Sequence, residues 1–250
     1  VGARPLVDGV DRILEHQGFA EAARTICDAE VVVPEQVYVN LSTPMPGQGF
    51  SHTDLPEFIG IDRANAPGWL LQAMGASRLF EDARITIMTA VAWFYQGERG
   101  FFRYWPNGRD ADSIRHEAMW NTAVVGDNDY MHHQVERIGP AGVQKPDGLT
   151  IDSLLDYDGE RWIVQEDGQT LLDYGDDEVR LSVSWKAKIY TDEATRQAAD
   201  ARHGKLDLEE VVARLADALG EPRPDSLQTA LADVSFRNQL AARWSGYQAG

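Results

Sequence analysis

Phe50-Ser51-His52-Thr53-Asp54 follows a Pro/Gly-rich stretch, residues 44–49, which in turn follows an alternating run in which Val37, Val39 and Leu41 are interleaved with Tyr38 and Asn40. The alternation reads as a strand and the Pro/Gly stretch as the loop that ends it. If residues 52–54 are extended, side chains two apart project from one face, so His52 and Asp54 present an imidazole and a carboxylate on one wall. That pairing asks for a β-rich fold with room inside it.

Working outward, further strand candidates lie at 84–95, 101–105, 121–125, 132–138, 161–164, 170–174 and 179–190, most of them bounded by Gly, Asn, Asp or Pro. Many short strands with turn punctuation predict a sandwich or barrel. Asp167-Gly168 between two β-rich runs predicts a hairpin. A helix packed on the sheet is expected over 66–80, from Trp69, Leu70, Ala73, Met74 and Phe80. Two short helices are expected before residue 30, where Leu6, Val7, Val10, Ile13 and Leu14 and then Phe19, Ala22, Ala23, Ile26 and Cys27 fall at helical spacing. Beyond Tyr190 the apolar spacing is again helical, through Leu208, Val211, Val212, Leu215 and Leu219 and then Leu227, Leu231, Val234, Phe236 and Leu240. The expected plan is one domain over 1–250: N-terminal helices in 1–30, a β core in 31–190 with an inserted hairpin near 155–175, and C-terminal helices in 191–250. These last helices are expected to buttress the sheet, with a homodimer through the terminal helices as the alternative.

A second histidine must come from a later strand if His52 and Asp54 are to form the 2-His-1-carboxylate set that binds Fe(II) with coordination positions left open. The stretch Asp127-Asn128-Asp129-Tyr130-Met131-His132-His133-Gln134-Val135-Glu136 offers two. An Asp/Asn turn precedes an alternating segment, so one of His132 and His133 faces inward. His133 shares its face with Val135, which suits burial, whereas His132 shares the face of Gln134 and Glu136. His133 is therefore the expected third ligand and His132 a surface or supporting residue.

At this point the sequence resembles the Fe(II)/2-oxoglutarate-dependent dioxygenase superfamily, over about residues 37–190. The likeness is carried by His52-Thr53-Asp54, by the His133-Gln134-Val135 strand entry and by Arg180-Leu181-Ser182. It implies a mainly β fold with flanking helices, built on a double-stranded β-helix (jelly roll, cupin-like) core. It implies the cofactors Fe(II), 2-oxoglutarate and O2, with His52, Asp54 and His133 as metal ligands. Arg180 and Ser182 would bind the distal carboxylate of 2-oxoglutarate, which a guanidinium fork suits through two charge-assisted hydrogen bonds. Because a long Gly- and Asp-rich insertion separates His133 from Arg180, Arg137 and Lys186 stay open as alternatives, and the insertion is alternatively a lid. Retention of Asp54 disfavours halogenation, so the implied reaction is hydroxylation, desaturation or a related oxidation of a C–H bond in a small molecule, coupled to decarboxylation of 2-oxoglutarate to succinate. The competing readings are a cupin-type metal oxygenase that does not use 2-oxoglutarate and a jelly-roll module that only binds a ligand.

Composition sets outer limits. With 43% hydrophobic and 25% charged residues the 250-residue chain has the mix of a globular protein. A formal charge of −17 repels phosphate backbones and anionic lipid, so neither nucleic acid nor membrane is an expected partner. The single cysteine, Cys27, excludes an intrachain disulfide and a CxxC metal site, and is expected as a buried thiol. No apolar run reaches the length of a membrane span, and a cytoplasmic location is expected. No Gly-x-Ser-x-Gly elbow and no Gly-rich phosphate loop occurs, which removes hydrolase and nucleotide-binding readings. The aromatic segments 93–95 and 101–105 are expected mainly as core, with a cavity wall suited to a small organic acid or amino-acid derivative as the alternative, and His16, His116 and His203 as surface residues.

Overall fold

The computed structural model describes residues 6–47 and 49–245. The chain opens with α1 (Asp11–Leu14) and α2 (Gln17–Cys27), then β1 (Val31–Ser42), β2 (Glu57–Phe58), α3 (Gly68–Ser77), β3 (Arg84–Phe94), β4 (Phe102–Trp105), β5 (Ile114–His116), β6 (Trp120–Gly126) and β7 (His132–Val135). An inserted unit, β8 (Leu154–Tyr157), β9 (Trp162–Glu166) and β10 (Gln169–Tyr174), precedes β11 (Arg180–Tyr190). Four helices follow: α4 (Glu193–Asp200), α5 (Leu208–Leu219), α6 (Leu227–Ala232) and α7 (Val234–Leu240).

Two antiparallel sheets form the centre. The larger has the order β1-β11-β3 with β6 and β2 both paired to β3, and the smaller has the order β5-β4-β7. A bridge between His52 and His133 adds the 50–54 segment beside β7. Successive segments alternate between the sheets: β1 large, 50–54 small, β3 large, β4 and β5 small, β6 large, β7 small, β11 large. That winding is a double-stranded β-helix, so the core is a jelly roll flanked by helices. The sheets meet through Trp93 and Tyr95 of the large sheet region and Phe102 of β4, with Met119 and Ile138, and the Trp93 and Phe102 rings lie 5.0 Å apart. The aromatics of 93–95 and 101–105 thus divide between core and surface, Phe94 being exposed, and none of them lines either of two cavities of about 720 Å³.

Strand β11 reads Arg-Leu-Ser-Val-Ser-Trp-Lys-Ala-Lys-Ile-Tyr, and its period of two divides it cleanly. Trp185, Ala187 and Ile189 pack with Met88 and Ala90 of β3 against Ala20 and Ala23 of α2. Trp185 is fully buried there and donates its indole N–H to the Leu14 carbonyl at 2.8 Å. The alternate residues Arg180, Ser182, Ser184, Lys186 and Lys188 therefore face the space between the sheets. A third core joins α3, α5 and α7 through Leu70, Met74, Val211, Leu215, Phe236 and Leu240.

Several expectations shift in detail. The inserted hairpin is a three-stranded sheet, order β10-β9-β8, and β8 went unread because Leu154 and Tyr157 are exposed and Leu155 alone is half-buried. The Asp167-Gly168 turn does join β9 to β10, with both residues at positive φ, 48° and 75°. The stretch 227–240 is broken at Asp233, whose carboxylate caps α7 by accepting from the Ser235 and Phe236 amides. Cys27 is half-buried rather than buried, and burial raises its thiol pKa. His116 is half-buried too, hydrogen-bonded to the Thr122 hydroxyl at 3.0 Å, whereas exposed His16 caps α2 by accepting from the Phe19 amide. None of the described helices is long and apolar enough to cross a membrane.

Trp185→Ala should destabilise the fold by about 3–5 kcal/mol, since it opens a cavity between β11 and α2 and strands the Leu14 carbonyl. Urea unfolding followed by far-ultraviolet circular dichroism measures this.

Candidate metal centre

The 50–54 segment is held extended by backbone bonds to the β7 region. The His52 amide donates to the His133 carbonyl at 3.0 Å, the His133 amide returns to the His52 carbonyl at 2.9 Å, and the Asp54 amide donates to the Asn128 carbonyl at 2.8 Å. The antiparallel bridge puts His52 and His133 on one side, their ring centroids 4.5 Å apart. Thr53 faces away, and its hydroxyl accepts from the Gln72 side chain of α3 at 2.6 Å. Gly75 of α3 permits this close approach, because a Cβ there would stand 2.8 Å from Pro56 Cγ.

One donor atom from each of His52, Asp54 and His133 lies within 4.8 Å of the other two, and this is the one such His/Cys/Asp/Glu cluster among the described residues. Burial is graded, with His52 exposed, Asp54 half-buried and His133 buried, so the cluster is open on the His52 side. Both rings are oriented by carbonyls: His52 Nδ1 lies 3.0 Å from the Phe50 oxygen and His133 Nδ1 lies 2.9 Å from the Met131 oxygen. A carbonyl can only accept, so each Nδ1 carries the proton and each Nε2 offers a lone pair. Burial also lowers the His133 pKa, outweighing the nearby Asp54 carboxylate, which favours the neutral ring that a metal requires. His133 Nε2 stands 3.7 Å from Asp54 Oδ1. The second carboxylate oxygen, Oδ2, accepts from Lys186 Nζ at 2.6 Å, which turns Oδ1 toward the imidazoles. Donor set, tautomers and spacing fit a divalent metal of the Fe(II) type.

The turn before His133 is locked from behind. Arg84 at the start of β3 donates to both Asp127 oxygens, at 2.6 and 2.7 Å, and lies 3.6 Å from the centroid of the Tyr130 ring, with Arg78 3.3 Å from the same centroid. Asp129 is buried 4.0 Å from Arg84, beyond hydrogen-bond reach, and neither of its oxygens has a hydrogen-bond partner. Desolvation outweighs Lys186 and Arg84 and pushes its pKa up to about 8.

Arg180 and Ser182 are both buried, at 2% exposure, on the inner face of β11. Arg180 donates Nε–H to the Gly100 carbonyl at 2.8 Å and reaches the Ser182 hydroxyl at 3.5 Å, but among the described residues no carboxylate pairs with it. Burial without a counter-charge lowers its pKa to about 10. Its neighbours on that face are paired: Lys186 with Asp54, and Lys188 with Glu57 at 2.6 Å and Glu35 at 3.1 Å. Arg137, the other alternative, lies beyond the end of β7 with its Nε buried and unpartnered. Across the register, Trp93 stands opposite Ser182 and Thr89 opposite Lys186, and the Trp93 indole nitrogen and the Thr89 hydroxyl are also buried without partners. His132 pairs with Trp105, is half-buried, and has an unpartnered Nδ1. The roles of Lys186, Asp129, Thr89 and Trp93 were not read from sequence, although the polar-apolar alternation of residues 180–189 carried the signal for Lys186.

No family model and no curated protein matches the chain. Two solved structures are similar. A Pseudomonas putida prolyl-4-hydroxylase aligns over 74% of this chain and 68% of its own at 13% identity, with a TM-score of 0.36. A nickel complex of the non-haem monooxygenase ThoJ aligns over 95% and 76% at 11% identity, with a TM-score of 0.40. The winding of the strands and the His-Asp-His cluster, taken by themselves, fit the oxygenase superfamily that the sequence resembles.

In the metal-free protein, Asp129→Asn should stabilise the fold, and increasingly so as pH rises. The unfolded carboxyl loses its proton near its ordinary value of 3.8 while the folded one keeps it to about 8, so the wild type loses stability across that window and the amide does not. Thermal melts of both proteins between pH 5 and 9 measure the difference, which should exceed about 1 kcal/mol near pH 8.

Proposed function

We propose that this chain is a non-haem Fe(II) oxygenase that uses 2-oxoglutarate and O2 to oxidise, most simply to hydroxylate, a C–H bond of a small molecule. The observation that carries the 2-oxoglutarate reading is Arg180, a buried guanidinium with no acid partner among the described residues, on the same inner face as the lysine that holds Asp54. An uncompensated buried charge is costly, and a carboxylate that accepts from it removes the cost.

His52 and His133 would hold the iron through Nε2 and Asp54 through Oδ1. Fe(II) with 2-oxoglutarate and O2 supplies the oxidation, in which one oxygen atom goes to the substrate C–H bond and the other to succinate, with loss of CO2. Lys186 fixes the orientation of the Asp54 carboxylate and offsets part of its charge. Arg180 and Ser182 would bind the far carboxylate of 2-oxoglutarate, and the unpartnered Trp93 indole and Thr89 hydroxyl supply further polar contacts in the same space. Trp93, Phe102 and Ile138 keep water from the reacting groups. Gly100 positions Arg180: its carbonyl accepts from Nε, its φ is +67°, and a Cβ there would meet Arg180 Cδ at 3.2 Å and Tyr95 at 3.1 Å.

Anaerobic titration of the metal-free protein with Fe(II) and then 2-oxoglutarate, following the visible charge-transfer band of the chelate, tests this. The wild type should form the band, Asp54→Ala should bind iron poorly and form none, and Arg180→Gln and Gly100→Ala should each raise the 2-oxoglutarate requirement about tenfold to a hundredfold. Iron binding without a band would overturn the 2-oxoglutarate reading in favour of an oxygenase of another type. Absence of iron binding would overturn the enzyme reading.

A further inference from the structure

The His52 side of the cluster opens onto a cavity of about 720 Å³ between the 50–55 segment, α3 and α7. His52 is the one member of the triad that lines it. Its wall is apolar over Phe50, Leu55, Trp69 and Leu240, and two guanidinium groups enter it, Arg109 from the loop after β4 and Arg237 from α7. Among the described residues, neither arginine has an ion-pair or side-chain hydrogen-bond partner. Both cations lie on one cavity wall in a chain of net charge −17, where acids outnumber bases 40 to 23. Ser51 and His132 also contribute to the wall, and Ser51 Oγ and His132 Nδ1 are buried without hydrogen-bond partners. The cavity is distinct from the space around Arg180, because none of the inner-face residues of β11 lines it. It has the size of a small-molecule site, largely apolar with a few convergent polar groups.

We propose that this cavity binds the substrate and that the substrate is an organic carboxylate with an apolar body, its carboxylate between Arg109 and Arg237 and its apolar part on Trp69 and Leu55, which brings a C–H bond beside His52. This rests on the oxygenase reading for the chemistry but not for the binding. The arginines set specificity by charge: an uncharged analogue fills the same apolar wall yet leaves both cations unanswered.

The test is calorimetric titration of the metal-free protein with 4-phenylbutyrate and with 4-phenylbutan-1-ol, so that its outcome does not depend on iron. The carboxylate should bind about tenfold or more tightly than the alcohol. The double variant Arg109→Gln/Arg237→Gln should lose that preference while binding the alcohol as before, and Trp69→Ala should weaken both ligands. Both arginines are exposed, so the double variant should keep the wild-type melting temperature. Saturating 2-oxoglutarate should leave phenylbutyrate binding unchanged. Equal binding of acid and alcohol, a preference that survives in the double variant, binding of neither probe at millimolar concentration, or displacement by 2-oxoglutarate would each overturn the proposal. Failure of the iron titration above with success here would refute the oxygenase chemistry and leave the carboxylate site standing.

Discussion

The pairing of β11 between β1 and β3 governs what the interior of this protein can do. Its register sets Lys186 against Gln36 on one side and Thr89 on the other, and sets Ser182 against Asn40 and Trp93. A slip of one residue would turn Trp185, Ala187 and Ile189 inward and send Arg180 and Lys186 into the packing of α2. That alternative leaves large apolar side chains facing Asp54 and charges among Ala20, Ala23 and Met88, so burial of Trp185 on α2 also enforces the delivery of Lys186 to Asp54. Stability and site geometry thus come from opposite faces of one strand.

The inner face handles its charges unequally, and the inequality is informative. Lys186 and Lys188 each meet carboxylates at 2.6 Å, so their burial is compensated within the protein. Arg180 is more deeply buried and has a carbonyl and a hydroxyl as its partners. A buried guanidinium without a counter-charge could have been replaced by an apolar residue at a gain in stability. Asp129 carries the opposite sign of the same condition, since burial holds it protonated, and a divalent metal close by would favour its ionised form. Two buried groups without a counter-charge in hydrogen-bond reach, in the interior of one jelly roll that also holds a donor cluster, are what a site built for charged ligands looks like in their absence.

Much of this was legible in the sequence, for reasons particular to each element. The strands that could be read, such as 84–94 and 180–190, are central and apolar on at least one face, so their period of two was visible. Leu154–Tyr157 and Ile114–His116 are short edge segments, each with a single half-buried residue, too little to imprint a pattern, and they were missed. The assignment of His133 over His132 followed from Val135 sharing its face, and burial divides the two histidines in that sense. What sequence could not supply were relations between distant segments. The contact of Lys186 with Asp54 spans 132 residues, and Arg109 and Arg237, 128 positions apart, line one cavity. Strand periodicity says which face a side chain takes but not which opposing segment it meets.

The graded burial of the triad then has a directional consequence. His133 is enclosed by Phe102, its ring 5.7 Å away, and by the locked turn of Asp127 and Tyr130, so access from that side is closed. Asp54 is occupied on its Oδ2 flank by Lys186. The exposed edge of His52 is open, and it faces the cavity bounded by α3 and α7. These helices share an apolar core of their own, through Leu70, Met74, Phe236 and Leu240, which meets the sheet at Phe58 of β2. The jelly roll therefore fixes the donor atoms, with α3 bracing the 52–54 segment through Gln72 and Gly75, while α7 and the outer face of α3 shape the approach to them, so sequence change in α7 can alter what enters with little effect on how His52, Asp54 and His133 are held.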